Sequence, residues 1–543
     1  MKRSIFLAAM LILVSIGLVF GGGGTQQQGA SVDARTVRQS ITFNGYPMQA
    51  TNQTVSWFAT DGYVPNEIYA HPQDSPFHFL MQEMLGVNIE WIFPIRGTPG
   101  NQAINLVLAS GDLPDIMYGG LMADAERHIE EGVFHDLSPY IREWSPAYWR
   151  LLQSDPAYDR AMKTDTGRYY GYGFFREDGG YPDTYQGPVV NKAWLDECGL
   201  PLPVTIADWD ITLRTFRDRY GAVISMPWPR VSGSYGGFIS GAYGAHAFAS
   251  YRLYIDNNNR VQIGNIMPEY RAFITKMHEW WREGLIDQDL LTINDTMARS
   301  NALNLRTGLT FTSMGQLSNW VIDSEAAGNG ANWIGLQYPR GNDGTLAHID
   351  GGYGIGANLA AVITTNVRPE RMELVMRVLD YAYTEEGDLY WNYGKRGNSW
   401  DYGPDGIPMF LPLLTNDPHG LNNTIDRYVG TAWNANGIQA TRQLILRNTT
   451  QSIDALNLWY WPNQNIAARS KLPPGITLTP SESTRIGELE ATISTFINEA
   501  SAHFLTGQAN INTWDSYVAR VNAMGAPELL RIYQAALDRY LAR

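Results

Sequence analysis

An α/β fold in more than one domain is what this 543-residue chain predicts, on three observations. Segments of strand and helix character alternate through its opening third, the mark of a parallel sheet covered by helices. No unit recurs at a fixed period, which sets solenoids and propellers aside. The length exceeds what one ordinary domain uses and allows a large buried core.

The elements follow in order. Thr54 to Ala59 is a first core strand, and Phe77 to Leu85 has the apolar spacing of a helix that Gly86 ends. Val87 to Phe93 alternates and is rich in branched and aromatic residues, so it reads as a second strand. Ala103 to Ala109 is a helix, and Pro114 to Tyr118 is a short third strand. Asn191 to Leu200 starts another helix, and Thr205 caps one that runs to Tyr220 with Asp208 in its first turn. Pro268 to Gly284 and Pro369 to Thr384 read as amphipathic helices entered by proline. Ser483 to Phe504 and Glu528 to Leu541 form a helical tail.

Lys2 and Arg3 precede an apolar run from Ile5 to Phe20 and then small residues from Gly21 to Gly24. This is the pattern of a secretory signal peptide, and the run falls short of the roughly 20 residues that span a bilayer comfortably. Residues 1–21 are expected to be the signal peptide and 22–38 a flexible leader. No cysteine follows the apolar run as a lipid anchor would need, so the expected product is soluble and periplasmic or extracellular. The single cysteine, Cys198, sits near a helix end and reads as a small apolar filler. Hydrophobic residues make up 44% and charged residues 17%, with a formal net charge of −14. That balance describes a folded globule and opposes nucleic acid, the more so because the basic residues are scattered as singles.

A set of segments resembles, in order, the extracellular solute-binding proteins of ABC importers (family 1, large oligosaccharide-type branch). They are Leu85 to Trp91 (LGVNIEW), Leu108 to Ile116 (LASGDLPDI), Gly132 to Ile141 (GVFHDLSPYI), Asn191 to Asp196 (NKAWLD), Glu279 to Leu291, Tyr381 to Gly394 and Ala535 to Tyr540. The resemblance implies a periplasmic-binding-protein-like fold of type II: two α/β lobes, hinge-linked, closing over a ligand in the cleft between them. It places lobe one at 39–178 and 351–420, and lobe two at 179–350 and 421–543. Gly351-Gly352-Tyr353-Gly354 is a plausible crossing between them. The implied partners are a solute and the membrane permease subunits, for a chain that works as a monomer.

Sugar is the expected solute, because 17 Trp and 30 Tyr supply flat faces for the C–H sides of sugar rings. The expected ligand-binding residues are Trp57, Tyr118, Trp228, Tyr243, Trp320, Tyr353, Trp391 and Trp400, with Asp115 and Arg230 to satisfy hydroxyls. Asp115 earns its place by lying near a strand end, where ligands of open α/β sheets bind. Trp280-Trp281 is read as helix packing, and Trp459-Tyr460-Trp461 as either a cleft loop or a contact between lobes. The rival readings are a carbohydrate-active hydrolase and a peptide-type receptor on the same fold. Glu177-Asp178 and Glu385-Glu386 are not facing carboxylate pairs, and no nucleophile elbow, His-Glu-x-x-His helix or Walker loop is present. No charged cluster offers anchors for peptide termini. No cofactor is expected. Asp256 to Asn259 resembles the start of a calcium loop but lacks its glycine and closing glutamate and reads as a hairpin turn. The resemblance, in which some sugar-binding members carry a calcium in the other lobe, leaves a structural calcium as a lesser expectation.

Overall fold

The computed structural model describes residues 43–543 apart from 61–73, 96–97, 178–185, 226, 228–237, 247–252, 345–348, 351–354, 419–420, 431–435, 461–465, 468–469 and 474. The expected signal peptide and leader, the glycine crossing, and Trp228, Arg230 and Tyr353 lie outside the described residues.

Four strands open the described chain: β1 (Ala50–Ala59), β2 (Val87–Ile92), β3 (Ile116–Gly119) and β4 (Tyr172–Arg176). Next come β5 (Gln186–Asn191), β6 (Leu253–Ile255), β7 (Val261–Ile263), β8 (Leu309–Ser313) and β9 (Trp333–Gly335). The last are β10 (Ile349–Asp350), β11 (Ile355–Ile363), β12 (Trp400–Tyr402), β13 (Pro408–Phe410), β14 (Gly437–Gln439) and β15 (Ile466–Ala467).

The larger sheet has the order β14-β4-β11-β3-β1-β2. Strand β1 is parallel to β2 and β3, β14 is parallel to β4, and β11 is antiparallel to both β3 and β4. Five strands therefore run one way and β11 alone runs against them. The parallel core expected from the alternating pattern is present. Strand β11 was not foreseen, because Ile-Gly-Ala-Asn-Leu-Ala-Ala-Val-Ile carries small residues and little alternation.

The helix Pro76–Leu85 links β1 to β2 and stops where Gly86 turns to φ 71°. Only glycine suits that position: a Cβ there would lie 2.7 Å from the Met48 backbone nitrogen, on top of the left-handed strain. The helix Ile206–Tyr220 begins with a full capping box between Thr205 and Asp208. The helix expected over 369–384 is broken into a turn at Pro369–Arg371, a helix Met372–Asp380 and a second turn at Tyr381–Tyr383. Thr384 is the reason, since it goes extended and caps a new helix, Glu385–Tyr393, by accepting the Gly387 N–H at 3.0 Å.

The smaller sheet has the order β8-β5-β9, with β5 antiparallel to both neighbours. Its core gathers Trp209, Trp280, Phe311, Trp320 and Trp333. The helix Thr450–Tyr460 lies on this sheet at two glycines. A Cβ on Gly187 would fall 2.3 Å from the Trp459 ring, and one on Gly335 2.3 Å from the Ala455 side chain. Trp459 is thus packing, with its N–H donated to Pro188 O at 3.2 Å. Trp280 is packing as expected, buried and donating to Asp210 at 2.5 Å.

Long helices Pro480–Thr506 and Ala526–Ala542 close the chain. Arg539 and Arg543 both reach the Asp165 carboxylate, at 2.6 and 2.5 Å, and Arg543 also donates to Gly475 O at 2.8 Å and to Thr477 Oγ1 at 2.6 Å. No helix among the described residues is long and apolar enough to cross a membrane.

Candidate functional site

Strand direction defines the site. In open α/β sheets ligands meet the carboxyl ends of parallel strands, because loops leave there and helix amino termini face them. In the larger sheet β1, β2, β3, β4 and β14 all end at one edge, and β11 starts there. That edge carries Thr60 after β1, Gly119-Gly120 at β3, Glu177 after β4, and Thr441 to Gln443 just beyond β14. It is also where the chain leaves β4 for β5 and enters β11. In the smaller sheet Gln186 pairs with Ser313, so the start of β5 and the end of β8 share the edge to which that passage leads. The helix Met314–Ala327 rises from it, capped by Ser313 accepting the Gln316 N–H. Tyr338 donates its hydroxyl to Gln186 O there.

This edge holds buried polar atoms without partners: Thr441 Oγ1, Arg442 Nε, both ends of the Gln443 amide, and Gln316 Oε1. Gln443 is fully buried. A buried polar atom left without a partner costs on the order of 1–3 kcal/mol, so these groups are candidates to meet a hydrogen-bonding guest. Beside them, Glu177 accepts the Thr441 N–H at 2.8 Å. Burial, and after it the neighbouring Glu177, pushes the Asp388 carboxyl up to about 7. Asn392 binds Asp388 at 3.0 Å, donates to Ile438 O at 2.8 Å and accepts the Ala440 N–H at 2.8 Å, so it ties this acid to β14.

Of the residues expected from the sequence, Tyr118 and Trp391 lie next to this edge, beside Gly119 and Asn392, and Trp57, Trp320 and Trp400 lie in the surrounding cores. Trp57 is 1% exposed in β1, stacked on Trp91 at 5.0 Å, and Trp91 packs in turn on His78 of the helix Pro76–Leu85. Tyr118 is buried in β3 between Ala59 and Ala361. Trp320 meets Trp333 edge-on at 5.2 Å inside the core against the smaller sheet. Trp391 is 0% exposed, boxed by Phe77, Tyr381 and Tyr390. Trp400 donates to Gly394 O at 2.7 Å within a satellite core with Tyr393 and Phe410. In this structure these five aromatics are buried against other side chains. Tyr243 is half-buried, its hydroxyl pushed up by burial and by Asp210 and Glu279 nearby.

Asp115 has charged and backbone partners of its own. It precedes β3 and so lies at the amino ends of the parallel strands, the opposite edge from the site. Arg371 grips both its oxygens, at 3.1 and 3.0 Å, and Ser56 donates its N–H at 3.1 Å.

Glu177, Asp388, Gln316 and Thr441 to Gln443 were not singled out from the sequence. The parallel pairing of β14 with β4, which brings 437–443 to this edge, leaves no local trace in the chain. Metal binding finds no support at the Asp256 turn: its Oδ1 accepts the N–H groups of Asn258 and Arg260 and its Oδ2 the Gln262 amide. Those bonds use the oxygens a calcium ion would need, so the turn does not fit the ion. Among the described residues no group of three or more His, Cys, Asp or Glu could hold a metal ion.

No family model matches the chain. A fructooligosaccharide ABC transporter substrate-binding protein, FusA of Streptococcus pneumoniae serotype 4, is 21% identical over 563 residues, covering 100% of this chain and 99% of its own. Lipoprotein LipO of Bacillus subtilis strain 168 is 21% identical over 461 residues, 80% of this chain and 84% of its own. Among solved structures, the alginate-binding protein AlgQ2 without calcium ion matches with a TM-score of 0.71, at 19% identity over 90% of this chain and 98% of that one. FusA of S. pneumoniae in complex with kestose matches at 0.68, at 19% identity over 90% and 100%. The chain therefore has the periplasmic-binding-protein-like fold, and its homologues are substrate-binding proteins of ABC importers in their large, oligosaccharide-type branch.

Proposed function

We propose that this chain is the extracytoplasmic receptor of an ABC importer, capturing an oligosaccharide between two lobes and presenting the closed form to the permease. The observation that carries the reading is the shared edge of strand ends with its unpartnered Thr441, Arg442, Gln443 and Gln316 atoms, in a chain collinear with FusA over its whole length. Amides, a hydroxyl and a guanidinium can meet sugar hydroxyls as donor and acceptor alike. Lobe one takes the larger sheet and lobe two the smaller. The third passage between them falls after β14 and before the helix Thr450–Tyr460, because β14 pairs with β4 while that helix lies on β5 and β9. The chain is proposed to act as an exported monomer, by the amino-terminal pattern of Lys2 to Gly24.

The test is a thermal-shift panel of kestose, longer fructo-oligosaccharides, mannosyl-N-acetylglucosamine glycans and alginate oligomers. A sugar at 100 times its Kd adds about 2.7 kcal/mol to folding and raises the melting temperature by a few degrees. No shift with any oligosaccharide, against a shift with peptides, would favour the peptide-type reading.

A hydrolase reading draws on one observation, the Glu177 and Asp388 pair with its raised acid. Both carboxylates are engaged in tying helix Glu385–Tyr393 and residue 441 together, which favours a positioning role. Incubation with each binding sugar, followed by chromatography, is expected to return it intact.

A further inference from the structure

A cavity of about 530 Å3 lies far from the strand-end edge, between residues 43–53 and the turn at 368–374. It opens at the amino end of β1, whereas the strand-end edge lies at its carboxyl end. We propose that this cavity is a second saccharide site, one that takes a neutral sugar of one to three rings independently of the cleft.

Its walls are fixed before any ligand arrives. Tyr46 donates its hydroxyl to Arg377 O at 2.6 Å, and the Arg377 guanidinium stands 4.2 Å from the Phe43 ring. Met48 N–H binds Leu85 O at 2.7 Å. Arg371 is clamped between Asp115 and Thr54 O, which gives the buried Asp115 its purpose at this end of the sheet. A cavity held this way loses little entropy on binding.

The lining sets the ligand class. Four carboxamides surround the space, Asn44, Gln49, Asn52 and Gln53, and none of these side chains hydrogen-bonds to another described residue. Each can offer two donors and an acceptor, the pattern that neighbouring sugar hydroxyls answer. Charge is balanced: Arg371 is matched by Asp115, and the exposed Arg368 stands 3.9 Å from Glu370. A charged ligand would find no uncompensated partner. Phe43, Pro47 and Leu374 supply apolar wall for C–H faces, and the volume suits a small ligand.

Equilibrium dialysis with sucrose and with kestose tests this, comparing the wild-type chain with a triple variant, Asn52→Ala, Gln53→Ala and Arg368→Ala. These positions are at the surface or half-buried, and a melting curve checks that the variant folds. The expected result is one equivalent of sugar whose affinity drops at least tenfold in the variant, while binding at the cleft stays within twofold. Loss of the only binding seen would still support this site, and would count against the cleft. Retention of every bound equivalent by the folded variant, or no binding of either sugar beyond the cleft equivalent, would overturn it.

Discussion

Asp388 is the residue whose chemistry is most open to measurement. Its usual carboxyl value is 3.8, and burial with Glu177 beside it raises this to about 7 in the folded chain. Between those values the folded state keeps a proton the unfolded chain has released, so stability falls as pH rises from about 4 to about 7 and then levels off. Asp388→Asn removes the charge and keeps the shape. Its melting temperature is expected to exceed that of the wild type at pH 8 and to converge on it near pH 4; parallel curves at all pH values would contradict the assignment. Part of the slope will remain, because burial also raises Asp380, to about 6. Gly187 offers a packing test at the same scale. Gly187→Ala drives a methyl into the Trp459 ring and is expected to cost about 1–3 kcal/mol in urea unfolding. The sequence could not have flagged either residue, since Asp388 meets Glu177 and Gly187 meets Trp459 only across the fold.

At the scale of elements, much was legible. Gly86 ends its helix where its sequence position implied, with positive φ. The capping box at Thr205 and Asp208 forms as Thr205's place before an apolar run suggested. Thr205→Ala is expected to cost about 1 kcal/mol, read as a lower urea midpoint at unchanged slope. The short pieces were not legible. Strand β14 has three residues and earns its strand character only by pairing with β4. Thr384 looked like the end of one helix and turned out to start another. Aromatic counting failed for a related reason. A tryptophan beside a glycine-rich stretch, such as Trp400, reads as a loop residue, yet it fills a small core of its own with Phe410 and Leu414. Large aromatic rings bury the most area per residue, so in a chain this rich in them the core claims them first.

For the whole molecule, the α/β fold class was readable from alternation and from segments such as LASGDLPDI, while the edge where strand ends meet was not. Sites of this kind form where strand ends from distant parts of the chain converge, and convergence is a property of topology. The larger and smaller sheets are linked again at the chain's end, where Arg539 and Arg543 of the last helix hold Asp165. Arg543 is almost wholly buried there, so Asp165→Ala leaves it without a carboxylate, while Arg539 keeps Glu482. The substitution is expected to cost about 3 kcal/mol or more and to lower the melting temperature. The account as a whole stands on lobe closure around a sugar. Small-angle X-ray scattering, with and without the oligosaccharide that gives the largest thermal shift, measures it most directly. The radius of gyration is predicted to fall on saturation and to recover when the sugar is dialysed away; an unchanged radius with sugar demonstrably bound would contradict the account.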